Sequence, residues 1–119
     1  MPSNSLKITT VSYLNTIPMV YGITHSGLLK DYELGLEVPS ICATKLLKQQ
    51  TDIALVPVGV MIQPTHNLDI ITNYCIGSNG KVKTVLLLAN TPLQKIKRIF
   101  LDTDSRTSVM LVKVLARFF

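Results

Sequence analysis

Residues 52–58 read DIALVPV, apolar almost without interruption after the opening aspartate. A strand with one wet face alternates apolar and polar side chains. A strand covered on both faces does not, and such strands belong to parallel sheets flanked by helices. This run therefore predicts an α/β fold. The same change from strand-like to helical patterning recurs along the chain. Residues 7–14 predict a strand, with Ile8, Val11 and Leu14 apolar. A helix then opens near Thr16, with Pro18 in its first turn, where a missing N–H goes unneeded. It ends around His25-Ser26-Gly27. Residues 34–38 predict a second strand, and Pro39-Ser40 begin the helix ICATKLLKQQ. A short helical piece, GVMIQ, follows the third strand. LDIITNYCIG and KVKTVLLLAN predict two more strands, joined at the turn Ser78-Asn79-Gly80, and RIFLDT predicts a sixth. SRTSVMLVKVLARFF has helical spacing, with Leu111, Val114, Leu115, Phe118 and Phe119 on one face. Strands alternating with helices give a mainly parallel sheet.

With 119 residues, 47% of them hydrophobic and 16% charged, the chain has the makings of a core and not the composition of a disordered segment. No apolar run approaches the roughly 18 residues of a membrane helix. Met1-Pro2-Ser3-Asn4 carries no basic patch ahead of an apolar stretch, so no signal peptide is expected and a cytoplasmic protein is. Cys42 and Cys75 read as reduced core thiols. The net charge of +5 is scattered apart from Lys95, Lys97 and Arg98. It suits an anionic small molecule. Without a basic stripe interleaved with aromatics, no nucleic acid partner is expected. The last helix shows no capping residue before Phe118-Phe119, which leads to the expectation of a chain cut inside a helix.

In open α/β sheets ligands bind beyond the carboxyl ends of the strands, where helix N-termini offer free N–H groups and partial positive charge. Two such junctions carry small polar side chains: Tyr13-Leu14-Asn15-Thr16, and DTDSRTS at residues 102–108. Helix capping accounts for Asn15 or Thr16 as well as ligand binding does. Ser105, Arg106, Thr107 and Ser108 offer more than one cap needs. Thr84 lies within an apolar strand, where threonine is a common strand former. His25 and His66 stand alone near loops and read as solvated; Asp52 and Asp69 read as turn residues at strand starts. No HExxH, Walker, GxGxxG or paired CxxC motif occurs, so neither metal nor nucleotide cofactor is expected.

Four blocks in order, VSYLNTIPMVYGI, DIALVPVGVM, CIGSNGKVKTVLLLA and LDTDSRTSVMLVKVL, resemble the chorismate dehydratase family of the futalosine route to menaquinone. The resemblance runs from about Lys7 to the end. It implies a type II periplasmic-binding-protein-like fold, two α/β lobes with the ligand in the cleft. This chain would be the N-terminal half: residues 1–90 most of the first lobe, 91–119 the crossing (ANTPLQKIK) and the start of the second. It also implies that Asn15 lines the active site, that Thr84 stands where many members have a catalytic serine, and that Ser105, Arg106, Thr107 and Ser108 hold a substrate carboxylate. Threonine at 84 keeps the hydroxyl and adds a methyl group.

The implied reaction is loss of water from chorismate to give 3-[(1-carboxyvinyl)oxy]benzoate. Aromatisation drives it, and the site need only orient the dianion and stabilise developing charge. A sister enzyme of the same route shares the fold, but its first helix opens with a Pro-Asn-Asp-Thr type of motif where this chain has Tyr-Leu-Asn-Thr. A non-catalytic solute-binding protein would carry a secretion signal. A regulator's effector domain would follow a helix-turn-helix, and here the first strand begins near Lys7.

Overall fold

A computed structural model describes residues 5–62 and 67–118. The residues named above as Met1 to Asn4, His66 and Phe119, with the end of GVMIQ, lie outside them. The protein is α/β. Its sheet has three parallel strands in the order β2-β1-β3: β1 is Leu6–Val11, β2 Tyr32–Glu37 and β3 Ile53–Ala54. Between them run α1, Ile17–His25, and α2, Pro39–Leu47; α3 is Arg106–Leu115. No helix among the described residues is long and apolar enough to cross a membrane.

The strand buried on both faces is β1, not residues 52–58. Its sequence LKITTV is rich in β-branched residues, and Ile8, Thr9, Thr10 and Val11 are buried in succession. Ile8 pairs with Leu34 on one side and Ile53 on the other. Buried threonines need partners, and these have them. Thr9 donates to the Thr51 hydroxyl at 3.1 Å, and Thr51 reaches the Lys7 carbonyl at 2.9 Å. Gly35 of β2 lies over Thr9, where a Cβ would make ordinary contact with Thr9 Oγ1 at 3.6 Å. The small residues Cys42 and Ala43, fully buried, bring α2 down onto β1 and β3. Burial, reinforced by the nearby Glu37 charge, pushes the Cys42 thiol up from its ordinary pKa. Cys75, expected in the core, is exposed; both thiols are free.

Strand β3 is shorter than its apolar run. Leu55 still donates to the Thr9 carbonyl at 3.0 Å, but Pro57 has no N–H, and a 3-10 turn over Val58–Val60 begins at once. Asp52 is more than a turn residue. Its carboxylate accepts from the Lys7 N–H at 2.8 Å while its own N–H donates to the Lys7 carbonyl at 2.9 Å.

The strands expected at 68–77, 81–90 and 98–103 do not form among the described residues, so the sheet has three strands and not six. The segments keep their apolar side chains but pair with no edge. Leu88 is 84% and Phe100 89% exposed. Periodicity records what a segment would bury. It does not supply the neighbouring backbone that a ladder requires. Asp69 accordingly starts no strand.

Two local devices shape the helix ends. The junction from β1 to α1 is a 3-10 turn over Leu14–Thr16, and Thr16, 2% exposed, shares its hydroxyl proton between the carbonyls of Val11 and Tyr13. After α2, the Gln50 N–H returns to the Lys45 carbonyl and the Gln49 N–H to Leu46, a Schellman closure with Gln49 at φ 56° where glycine is the usual residue. Thr16→Val should lower unfolding stability by about 1–3 kcal/mol through loss of that shared bond, with Thr16→Ser restoring most of it. Gln49→Gly should raise stability by about 1 kcal/mol by relieving left-handed backbone strain. Thermal and urea melts read both; an unchanged midpoint in either variant contradicts the corresponding assignment.

Candidate functional site

In a parallel sheet the carboxyl ends of neighbouring strands lie on one side. Both candidate junctions belong to that side here. The Leu14–Thr16 turn follows β1, and the Val58–Val60 turn follows β3, the strand beside it. The N-terminus of α3 packs on the second turn.

Four consecutive residues build that N-terminus. Ser105, in extended conformation, is the cap: its Oγ accepts from the Ser108 N–H at 3.3 Å. The same hydroxyl donates to Ser108 Oγ at 2.6 Å. Arg106 turns back to α2, its guanidinium donating to Thr44 Oγ1 at 2.9 Å, and Thr44 passes its own proton to the Ser40 carbonyl at 2.8 Å. Thr107 Oγ1 accepts from the Gly59 N–H at 3.2 Å. All four residues are half-buried.

Counting protons gives this arrangement its chemistry. A hydroxyl has one proton to donate and two lone pairs. Thr107 and Ser108 both act as acceptors, and neither finds an acceptor for its own proton among the described residues. Two O–H groups are thus held in place with donor capacity to spare. Beside them lie the free backbone N–H groups and positive dipole end of a ten-residue helix, and a guanidinium with one donor engaged among the described residues. No acidic side chain sits in the helix's first turn. Such a site favours a carboxylate.

Asn15 is exposed and caps nothing: the cap position of α1 is Thr16, and neither helical segment here has a side-chain cap bond. The turn is held by Thr16, so the Asn15 amide is left available. Tyr13 and Thr16 line a shallow hollow of about 320 Å³ with Val11 and Ile17. A second groove, of about 530 Å³, is lined by Ser108 together with Val85, Leu87, Phe100 and Leu111. Thr84 adjoins Val85 but is exposed in an irregular stretch, not in a strand. No hydrogen bond joins Asn15, Thr84 and the α3 N-terminus among the described residues. The structure brings Ser105 to Ser108 together at the α3 N-terminus. His25 is exposed, its ring stacked on Tyr21 at 4.1 Å between centroids. No group of three His, Cys, Asp or Glu side chains stands close enough to hold a metal ion among the described residues.

A family model described as menaquinone biosynthesis matches residues 6–119. The chain belongs to the menaquinone biosynthesis family. No solved structure matches it. The matched span includes both junctions and the whole of α3.

Within this family member, the residues the sequence did not single out are Thr44 and Gly59. Gly59 carried a signal: a glycine between two valines directly after an apolar strand marks close backbone approach. A Cβ there would lie 3.2 Å from Thr107 Cα and 3.4 Å from its backbone nitrogen, atoms that no side-chain rotation can move away. Gly59→Ala should therefore displace the first turn of α3 and lengthen the Gly59–Thr107 bond, at a cost of about 1–3 kcal/mol. Amide exchange at Gly59 and a thermal melt check this. Unchanged protection and midpoint would mean that the helix is placed by other contacts.

Proposed function

We propose that this protein is a chorismate dehydratase, a lyase that removes water from chorismate to give 3-[(1-carboxyvinyl)oxy]benzoate. The observation that carries the reading is the pair of unspent hydroxyl protons on Thr107 and Ser108 at a helix N-terminus. Family membership and the four sequence blocks support it. Chorismate is a dicarboxylate, and a site of this kind is suited to one of its two carboxylates.

On this reading Ser105, Arg106, Thr107 and Ser108 hold and orient the substrate. The ring proton that leaves is conjugated through a double bond to the ring carboxylate, where the developing negative charge delocalises. The neighbouring hydroxyl departs and the ring becomes aromatic. Asn15 donates its amide N–H groups to the enolpyruvyl carboxylate, and that carboxylate takes the proton. Thr84 supplies a further hydroxyl once the strand-like segment around it lies over the site. The reading includes a two-lobed, binding-protein-like fold, with residues 1–90 as most of one lobe and 91–119 opening the next. Residues 1–119 alone, with one lobe and the opening of the next, should be inactive, so incubating the full-length two-lobed protein with chorismate and following products by mass tests the activity. The benzoate enol ether is the expected product; unchanged chorismate beside an active control dehydratase overturns the assignment.

Two variants divide the labour between the junctions. Thr107→Val removes a donor while roughly keeping shape, and should weaken chorismate binding by about 1.5–3 kcal/mol, with Thr107→Ser close to the parent. Titration calorimetry reads it, and equal affinity in all three proteins would reduce the segment to a helix cap. Asn15→Asp replaces a donor with a like charge. Because Asn15 caps no helix, its stability should change by less than about 0.5 kcal/mol. Turnover should fall at least about a hundredfold. A variant that keeps full turnover removes Asn15 from the mechanism.

A further inference from the structure

Thr44 is an odd residue for its place. It sits in the second turn of α2, directly after the fully buried Cys42 and Ala43, where a β-branched side chain forms helix less readily than alanine or leucine. Its hydroxyl donates to the Ser40 carbonyl one turn back at 2.8 Å, a bond that competes with the helix's own ladder. With that single proton spent, Thr44 Oγ1 can only accept. What it accepts is an N–H of the Arg106 guanidinium, at 2.9 Å and from 62 residues along the chain. The two bonds fix each other, and both residues are half-buried.

The partner that Arg106 does not have matters as much. Among the described residues the ion pair is Lys45 with Glu37, and no carboxylate pairs with Arg106. Carboxylates stand close by in the chain. Glu37, just ahead of α2, is taken by Lys45, the residue after Thr44. Asp102, just ahead of α3, accepts from the Asp104 N–H at 2.9 Å and closes its own turn. A guanidinium held by Asp or Glu makes a stronger, charge-assisted bond, but its charge is then cancelled and its fork of donors occupied. Held through one nitrogen by a neutral hydroxyl, Arg106 keeps its charge and its remaining donors for an incoming anion.

We propose that Thr44 is a positioning residue for the carboxylate site, a neutral acceptor on α2 that aims the Arg106 guanidinium without neutralising it. The inference rests on the reading of Ser105 to Ser108 as the segment that holds a substrate carboxylate. Thr44 touches no ligand in it and acts through Arg106. A long side chain loses rotamer freedom when it clamps an anion, and part of that loss is here met on folding. The same bond also ties α3 to α2. A tie and an aim make different demands on residue 44. An acidic side chain serves the tie as well as a hydroxyl does, and it spoils the aim.

Three variants of the full-length protein separate the two roles: Thr44→Ser, Thr44→Val and Thr44→Asp. By titration calorimetry with chorismate, Thr44→Ser should match the parent, Thr44→Val should bind about fivefold more weakly, and Thr44→Asp at least about twentyfold more weakly. Thermal melts should follow another order, with Thr44→Asp no less stable than Thr44→Val. In an Arg106→Gln background, Thr44→Val should change affinity by less than about twofold, because the residue through which it acts is gone. Affinity that follows stability across the series, with Thr44→Asp binding as well as Thr44→Val or better, reduces Thr44 to a tie between helices and overturns the proposal. So does an undiminished effect of Thr44→Val in the Arg106→Gln background. A parent that fails to bind chorismate overturns the dehydratase reading on its own, and the same series is then read with benzoate, a simple carboxylate. A parent that binds neither overturns both.

Discussion

The placement of β3 and of the turn after it rests on a few bonds at Thr51, Asp52 and Leu55. Strand β3 is two residues long, too short to fix its own register. The register is held by Asp52, whose carboxylate and N–H both engage Lys7, by Thr51, whose hydroxyl reaches the Lys7 carbonyl, and by the Leu55 N–H on the Thr9 carbonyl. Those contacts set Ile53 opposite Ile8 and Ala54 opposite Thr9. Pro57 then ends the strand, and the Val58–Val60 turn presents the Gly59 N–H to Thr107. A one-residue slip at Asp52 would turn every side chain of β3 over and carry Gly59 away from α3. The candidate anion site is therefore tied to the centre of the sheet through a short chain of hydrogen bonds.

That tie also determines what the site can do. A hydroxyl that accepts from a fixed backbone N–H has lost much of its rotational freedom, and its proton must point elsewhere. Thr107 is in that state because of Gly59, and Ser108 because of Ser105. Arg106 is drawn toward Thr44, so its charge lies beside the helix and does not block the helix end. The donors are set before any ligand arrives. The entropy of ordering them is met by folding and not by binding, which is the usual origin of tight and specific anion recognition at helix N-termini.

Much of this was legible in the sequence, and the parts that were not share a physical cause. Strand β1 and helices α1, α2 and α3 follow from local patterning: β1 from its β-branched run, α1 and α2 from a proline in the first turn, α3 from its Ser105 cap. SRTS was recognisable as more than one cap. Asn15 and Thr16 were not separable, since both are good capping residues; only the shared bond from Thr16 to the carbonyls of Val11 and Tyr13 shows which one holds the turn. The extent of β3 turned on Pro57, a visible signal outweighed by the apolar run around it. Residues 68–103 read as strands and form none among the described residues, because a strand is a relation between two backbones. Their alternation is strand-like and their side chains are apolar, yet a sequence window contains no partner edge. Thr84, assigned to one of those strands, lost its place with it.

The anion site and the apolar groove beside α3 meet at Ser108, which belongs to the first and lines the second. This shared wall has an electrostatic consequence. In open water the attraction between a carboxylate and a fixed O–H or N–H donor is heavily damped, and the lysines of residues 81–117 act only within a Debye length of about 8 Å. Covering the groove with apolar side chains lowers the local dielectric on one side of Ser108 and Thr107. The same donors, at the same distances, then interact several times more strongly with a bound anion. Whatever covers the groove would thus strengthen the site without touching the ligand, by removing water from its wall. By linkage, an anion bound at the α3 N-terminus would favour that covering by the same free energy.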